Sequence, residues 1–163
     1  MSDERPPGRL VLVTGEPGTQ PHGVARAVAA GVARAVHVDV EALQDLVVAG
    51  AVALHDPPSP ESVEQLFLRW LAGIAVGETY QRAGFDAVLS ERVSGDFLTD
   101  LLDFVDPAPV HLVMLRGART ETDGATLGST DLSGGGLRLD LGDDPPQEVA
   151  RIVLARLDEG LIG

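Results

Sequence analysis

Four short stretches of the chain hold the residue types that chemistry requires, and each follows an apolar run. After Leu10–Val13 comes Thr14-Gly15-Glu16-Pro17-Gly18-Thr19-Gln20-Pro21-His22-Gly23. Glycines at a strand-to-helix turn let backbone N–H groups face an anion. After Ala35–Val38 comes Asp39, after Phe85–Leu89 come Ser90 and Glu91, and after Pro109–Leu115 come Arg116 and Arg119. Asp39 and Glu91 are candidate catalytic carboxylates. His22, at the positive end of a helix that lowers its pKa, is a candidate general base. Gly15, Gly18 and Thr19, with Arg116 and Arg119, form a candidate anion site. Plainer roles stay open to each: an exposed loop position for His22, a helix cap for Asp39, an arginine partner for Glu91, and salt bridges for the two arginines. Ser90 and Ser94 have no nucleophile-elbow motif and no local base in the sequence. His37 and His111 alternate with apolar residues and read as sheet residues. The four histidines lack metal-ligand spacing, so no metal site is expected.

The elements that position these residues can be read from the apolar pattern. Leu10–Thr14, Ala35–Val38, Phe85–Leu89, Pro109–Leu115 and Leu137–Leu141 read as short buried strands. Between them lie a thin Ala-lined helix after Pro21, a helix from Val40 closed by Gly50 with Asp39 as its cap, a long helix opened by Ser59–Pro60 and ended by Gly84, and a helix over 96–105. A last helix covers 145–157. On the long helix, Val63, Leu66, Phe67, Trp70, Leu71 and Ile74 are expected to line one face. Such alternation predicts an α/β fold with a parallel sheet and helices on both faces. Ligands in such folds sit beyond the carboxyl ends of the strands, where all four chemical stretches fall. Residues 1–8 read as a flexible N-terminus, and 9–163 as one domain with a polar loop at 116–136.

Composition narrows the chemistry. The 163 residues carry a net charge of −13. A surface that acidic repels phosphodiester backbones, so nucleic acid is not an expected partner. Cysteine is absent, which excludes disulfides and a thiol nucleophile. All twelve basic residues are arginine, so no lysine can form a Schiff base or hold a phosphate. No apolar run reaches the roughly 20 residues of a membrane span, and no secretory signal opens the chain. The expected location is the cytoplasm. A homodimer is open, because the long helix flanks the sheet.

The chain resembles the small P-loop kinases that phosphorylate small molecules: the chloramphenicol phosphotransferase-like, gluconokinase-like and shikimate-kinase-like proteins. The resemblance rests on Thr14 to Thr19 as a loop opening, His37 to Leu43, Tyr80 to Val88, Pro109 to Leu115, and the tail from Leu137 to Leu157. It implies a three-layer fold with five parallel strands in the order 2-3-1-4-5. It also implies an acceptor-activating acid near Asp39 and a magnesium-directed acid near Glu91. Against the pattern G-x-x-x-x-G-K-[ST], Gln20 stands at the second glycine, Pro21 at the lysine and His22 at the hydroxyl residue. Proline has neither an N–H nor an ammonium. In the resembled families the segment after the fourth strand is an arginine-bearing lid; here 116–136 is a reduced loop, so a transferring phosphoryl group would be open to water.

Three functions follow as expectations. The first is a kinase-fold protein that has lost phosphotransfer and uses its crevice for binding or regulation, with a small molecule or a protein as partner and no ATP or magnesium cofactor. The second is a nucleotide-independent enzyme using His22, Asp39 and Glu91 on a small neutral or cationic molecule. The third is a weak ATP- or GTP-dependent phosphotransferase.

Overall fold

The computed structural model describes residues 5–93, 96–117 and 135–163. Its elements are β1 (Leu10–Gly15), α1 (Pro21–Ala30), β2 (Ala35–Asp39), a 3-10 helix (Glu41–Leu46), α2 (Pro60–Arg82), β3 (Asp86–Glu91), α3 (Asp96–Val105), β4 (Val110–Arg116), β5 (Leu137–Asp140), α4 (Pro146–Ala155), a second 3-10 helix (Leu157–Gly160) and β6 (Leu161–Ile162). The parallel strands run in the order β2-β3-β1-β4-β5, as expected. The two-residue β6, which the sequence did not announce, pairs antiparallel with β4.

Strand side chains alternate between two helical layers. Leu10, Leu12, Ala87, Leu89 and Leu112 belong to the core that α2 and α3 cover. Val11, Val13, Val88, Val113 and Leu115 belong to the core that α1 and α4 cover. α2 lies close to the sheet because Gly73 and Gly77 have no side chain. A Cβ at Gly73 would stand 2.8 Å from Val40 Cγ2, and one at Gly77 3.0 Å from Leu89 Cδ1. Ser59 caps α2 by accepting from Ser62 N–H at 3.2 Å, with Pro60 in the first turn. Gly84, at φ +78°, turns the chain into β3. Gly8 is tied to this end of α2, through its N–H to Gln81 O and its carbonyl to Gln81 Nε2.

Two expectations need correction. The helix expected from Val40 to Gly50 is a 3-10 helix that stops at Leu46. None of its residues is buried. Without an apolar face to bury, a short segment does not propagate as α-helix. Leu71, expected in the core face of α2, is 45% exposed. It follows Trp70 by one residue, about 100° around the helix, toward solvent.

The expected loop at 116–136 lies outside the described residues from 118 to 134. Among the described residues, no helix is long and apolar enough to cross a membrane.

Candidate functional site

The loop between β1 and α1 closes on itself. Glu16 N–H donates to Leu115 O at 3.0 Å and continues the β1–β4 pairing. Thr19 N–H then reaches back to Glu16 O at 3.0 Å. With Pro17 second and Gly18 third at φ +90°, this is a type II turn. Thr19 Oγ1 donates to the same carbonyl at 2.7 Å, and the side chain is buried. A Cβ on Gly15 would fall 2.0 Å from Thr19 Oγ1, so a side chain there would push that hydroxyl off Glu16 O. α1 opens with Pro21, and Gln20 makes no side-chain cap. His22 is exposed on its first turn. Gly23 faces α4, where a Cβ would touch Pro146 at 3.5 Å.

Strand register sets the two carboxylates at neighbouring strand ends, on opposite faces of the sheet. Asp39 lies beside Ser90, and Glu91 beside Thr14. Asp39 accepts from Ala42 N–H at 3.3 Å, a first-turn cap as its plainer role supposes. Glu91 is 2% exposed. Arg69 of α2 grips it with two hydrogen bonds, Nε to Oε2 and Nη2 to Oε1, both 3.1 Å. Arg69 Nη1 also donates to Gln44 Oε1 at 2.8 Å. Burial pushes the Glu91 carboxyl up to about 7; the charge of Arg69 opposes the rise, and that of Glu41 adds to it. The Trp70 indole N–H also favours the charged form of Glu91. That N–H is buried and has no hydrogen-bond partner of good geometry among the described residues. Glu41 is in turn paired with Arg92, which holds the Glu41 carboxyl below its usual range.

His37 stands next to this group. Its Nε2 lies 2.9 Å from Ser90 Oγ. Ser90 therefore does have a local base, which corrects the sequence expectation: the pairing depends on strand register. Burial holds the His37 pKa down; Asp39 raises it, while the charges of His22 and Arg26 lower it further. His22 thus acts electrostatically on His37, and also on Glu41. Asp39 ends β2 and Glu91 ends β3, and His22 stands on the first turn of α1. Arg116 pairs with Asp140 of β5, Nε to Oδ1 at 3.0 Å. Arg119 lies outside the described residues. Among the described residues, no cluster of three or more His, Asp or Glu could hold a metal ion.

Sequence reasoning missed Arg69, Gln44, Glu41 and Arg92. Arg69 and Arg92 are the arginines that pair with carboxylates at this end of the sheet, with Glu91 and Glu41. A signal for Arg69 was present: it is the one charge on α2 between Glu64 and Glu78. Beside it lies a cavity of about 190 Å³ between the 3-10 helix, the segment after it and α2. Its walls are mostly apolar, including Leu43, Val47, Val52 and Leu66, with Gln44, Ser62, Gln65 and Arg69 as the polar residues. Gln65 holds the outer segment in place, accepting from Val52 N–H at 2.9 Å and donating to Gly50 O at 2.8 Å.

No protein-family model matches the chain, and no curated protein matches it. Solved structures do. An unliganded sugar kinase from Janibacter sp. HTCC2649 is 18% identical, with 94% of this chain and 96% of that one covered at a TM-score of 0.61. A "putative kinase" from Chloroflexus aurantiacus is 14% identical, with 94% and 97% covered at a TM-score of 0.57. What the chain shares with these kinase structures is the fold: a parallel sheet in the order 2-3-1-4-5 with helices on both faces.

Proposed function

We propose that this chain is a P-loop kinase-fold protein that no longer transfers phosphate, and that it binds a small, neutral, largely apolar molecule in the cavity beside Arg69. The observation that carries the reading is the loop from Gly15 to Pro21. A phosphate loop holds its anion with converging backbone N–H groups, a lysine and a magnesium-bound hydroxyl. Here Thr19 N–H and Oγ1 are both spent on Glu16 O. Pro21 has no N–H, and the chain has no lysine. Removing that cation and hydroxyl withdraws several kcal/mol of transition-state stabilisation. The cavity offers Leu43, Val47, Val52 and Leu66 for apolar contact. Its one cation, Arg69, is already matched by Glu91.

Calorimetric titration with Mg-ATP and Mg-GTP tests the loss. The expected result is binding weaker than about 1 mM, near −4 kcal/mol, with no turnover. Micromolar binding by the unmodified chain overturns the reading and favours the weak phosphotransferase. The triple variant Gln20→Gly, Pro21→Lys, His22→Ser is expected to gain nucleotide binding.

One observation favours a second reading, a nucleotide-independent enzyme. Glu91 holds its proton near neutral pH, where a carboxyl can both give and take one. A bound small molecule whose turnover disappears in Glu91→Gln, with binding retained, would decide for it.

A further inference from the structure

We propose that the outer face of α2 is the contact by which two copies of this chain pair antiparallel about a two-fold axis near Gly73. The face is unusual for a chain of net charge −13. Leu68 is 58% exposed, Leu71 45% and Val76 40%. Ala72, Ala75 and Thr79 beside them are also exposed. Between Glu64 and Glu78 the only charge is Arg69, which is turned to Glu91. Contiguous exposed apolar surface of this kind marks an interaction site.

The order of residues along the face selects a second copy as its occupant. Glu64, Leu68, Leu71, Ala75, Glu78 and Arg82 are all exposed and follow one another at steps of four, three, four, three and four. That is the seam along which two helices meet at a shallow angle. The steps read the same from either end, with their centre at Gly73. A two-fold axis there sets Leu71 of one copy against Ala75 of the other, large against small. It sets Glu64 against Arg82, opposite charges at both ends of the seam. The aliphatic stem of Glu78 then covers Leu68. A self-complementary patch of this sort is what an isologous dimer requires. A basic partner of another kind would be matched by a rim of one sign, but the two ends of this seam carry opposite signs.

Sedimentation equilibrium of the full chain tests the inference. The wild type is expected to dimerise. Its association should strengthen between about 0.05 and 0.5 M salt, because screening relieves the repulsion between two acidic chains. Leu71→Glu should weaken association by more than about 100-fold, with the circular dichroism melt unchanged when both chains are compared at dilutions where they are monomeric, because Leu71 is exposed in the monomer. Glu64→Arg and Arg82→Glu should each weaken it about 5- to 10-fold, since each loses the two ion pairs across the dimer, and Arg82→Glu also loses the pair with Glu78 inside each copy. The double variant restores both pairs across the dimer and should recover most of the association lost in either single variant. A chain that stays monomeric to about 1 mM at both salt levels overturns the inference. So does a dimer that survives Leu71→Glu, or charge swaps that fail to compensate. A monomer that binds a Leu/Arg amphipathic peptide, more weakly as salt rises, assigns the face to a basic partner and overturns it equally.

Discussion

The two faces of the sheet are built differently. Under α1 and α4 the core is made of small and β-branched residues, with Ala25 and Val153 at 0% exposure and Val28 at 1%. The glycines there bring helix against helix, as where a Cβ on Gly31 would meet Leu154 Cδ1 at 2.5 Å. The one buried histidine on that face, His111, is satisfied by Leu157 O at 3.0 Å from its Nδ1. Under α2 the packing is aromatic and incomplete. Phe67 and Trp70 stack with Phe97 and Phe104 at centroid distances of 5.4–6.4 Å. Beside them lie a buried ion pair, an indole N–H with no well-aligned partner among the described residues, a cavity and a run of exposed apolar residues. The first face is finished as a scaffold. The second keeps its polar and apolar capacity unsatisfied, and both the proposed ligand site and the proposed dimer seam fall on it.

The largest effect should come from breaking the ion pair of the open face. Glu91 titrates at about 7 rather than near 4.5. Below pH 4.5 it is protonated whether the chain is folded or unfolded. As pH rises, the unfolded chain loses this proton first, so the stabilising contribution of the folded carboxyl is lost as pH climbs through 7. Above pH 7 the buried carboxylate depends on Arg69. Arg69→Met should therefore cost about 3 kcal/mol at pH 8 and clearly less at pH 6, where Glu91 stays neutral. Denaturant unfolding at the two pH values checks this; an equal loss at both would show that Arg69 acts by packing alone.

A matched pair of substitutions sharpens the comparison at intermediate size. Ala25→Leu, in the finished face, should overpack and lose about 1–3 kcal/mol. Ala51→Leu, in the exposed segment beside the cavity, should change stability by no more than about 0.5 kcal/mol. Similar losses at the two positions would erase the distinction. At the edge between the faces, Asp39→Ala should lose about 0.5–2 kcal/mol through its cap on Ala42 N–H, and Asp39→Ser should recover most of it. If the serine variant keeps stability but loses ligand binding, the charge of Asp39 serves the site as well as the turn.

Local sequence determined what local forces control. The β-branched runs fixed the five parallel strands within a residue or two, because such side chains lose little by extension and gain by burial. Ser59–Pro60 and Gly84 placed the ends of α2 through a cap hydrogen bond and a positive φ. The chemical residues at the strand ends were legible from their position after each run. Register and crossing were not. His37 meets Ser90 only because β2 and β3 pair with Asp39 opposite Ser90. Arg69 reaches Glu91 because α2 crosses the end of β3 at the depth that Gly73 and Gly77 permit. A stripe of apolar residues on α2 could not by itself show that Leu71 faces water while Trp70 is buried, nor could Val40 to Gly50 show that nothing would cover a full helix there. Propensity and periodicity are summed over neighbours along the chain. Burial, ion pairing and the shift of a carboxyl to about 7 depend on which distant elements arrive beside a residue, and only the assembled fold decides that.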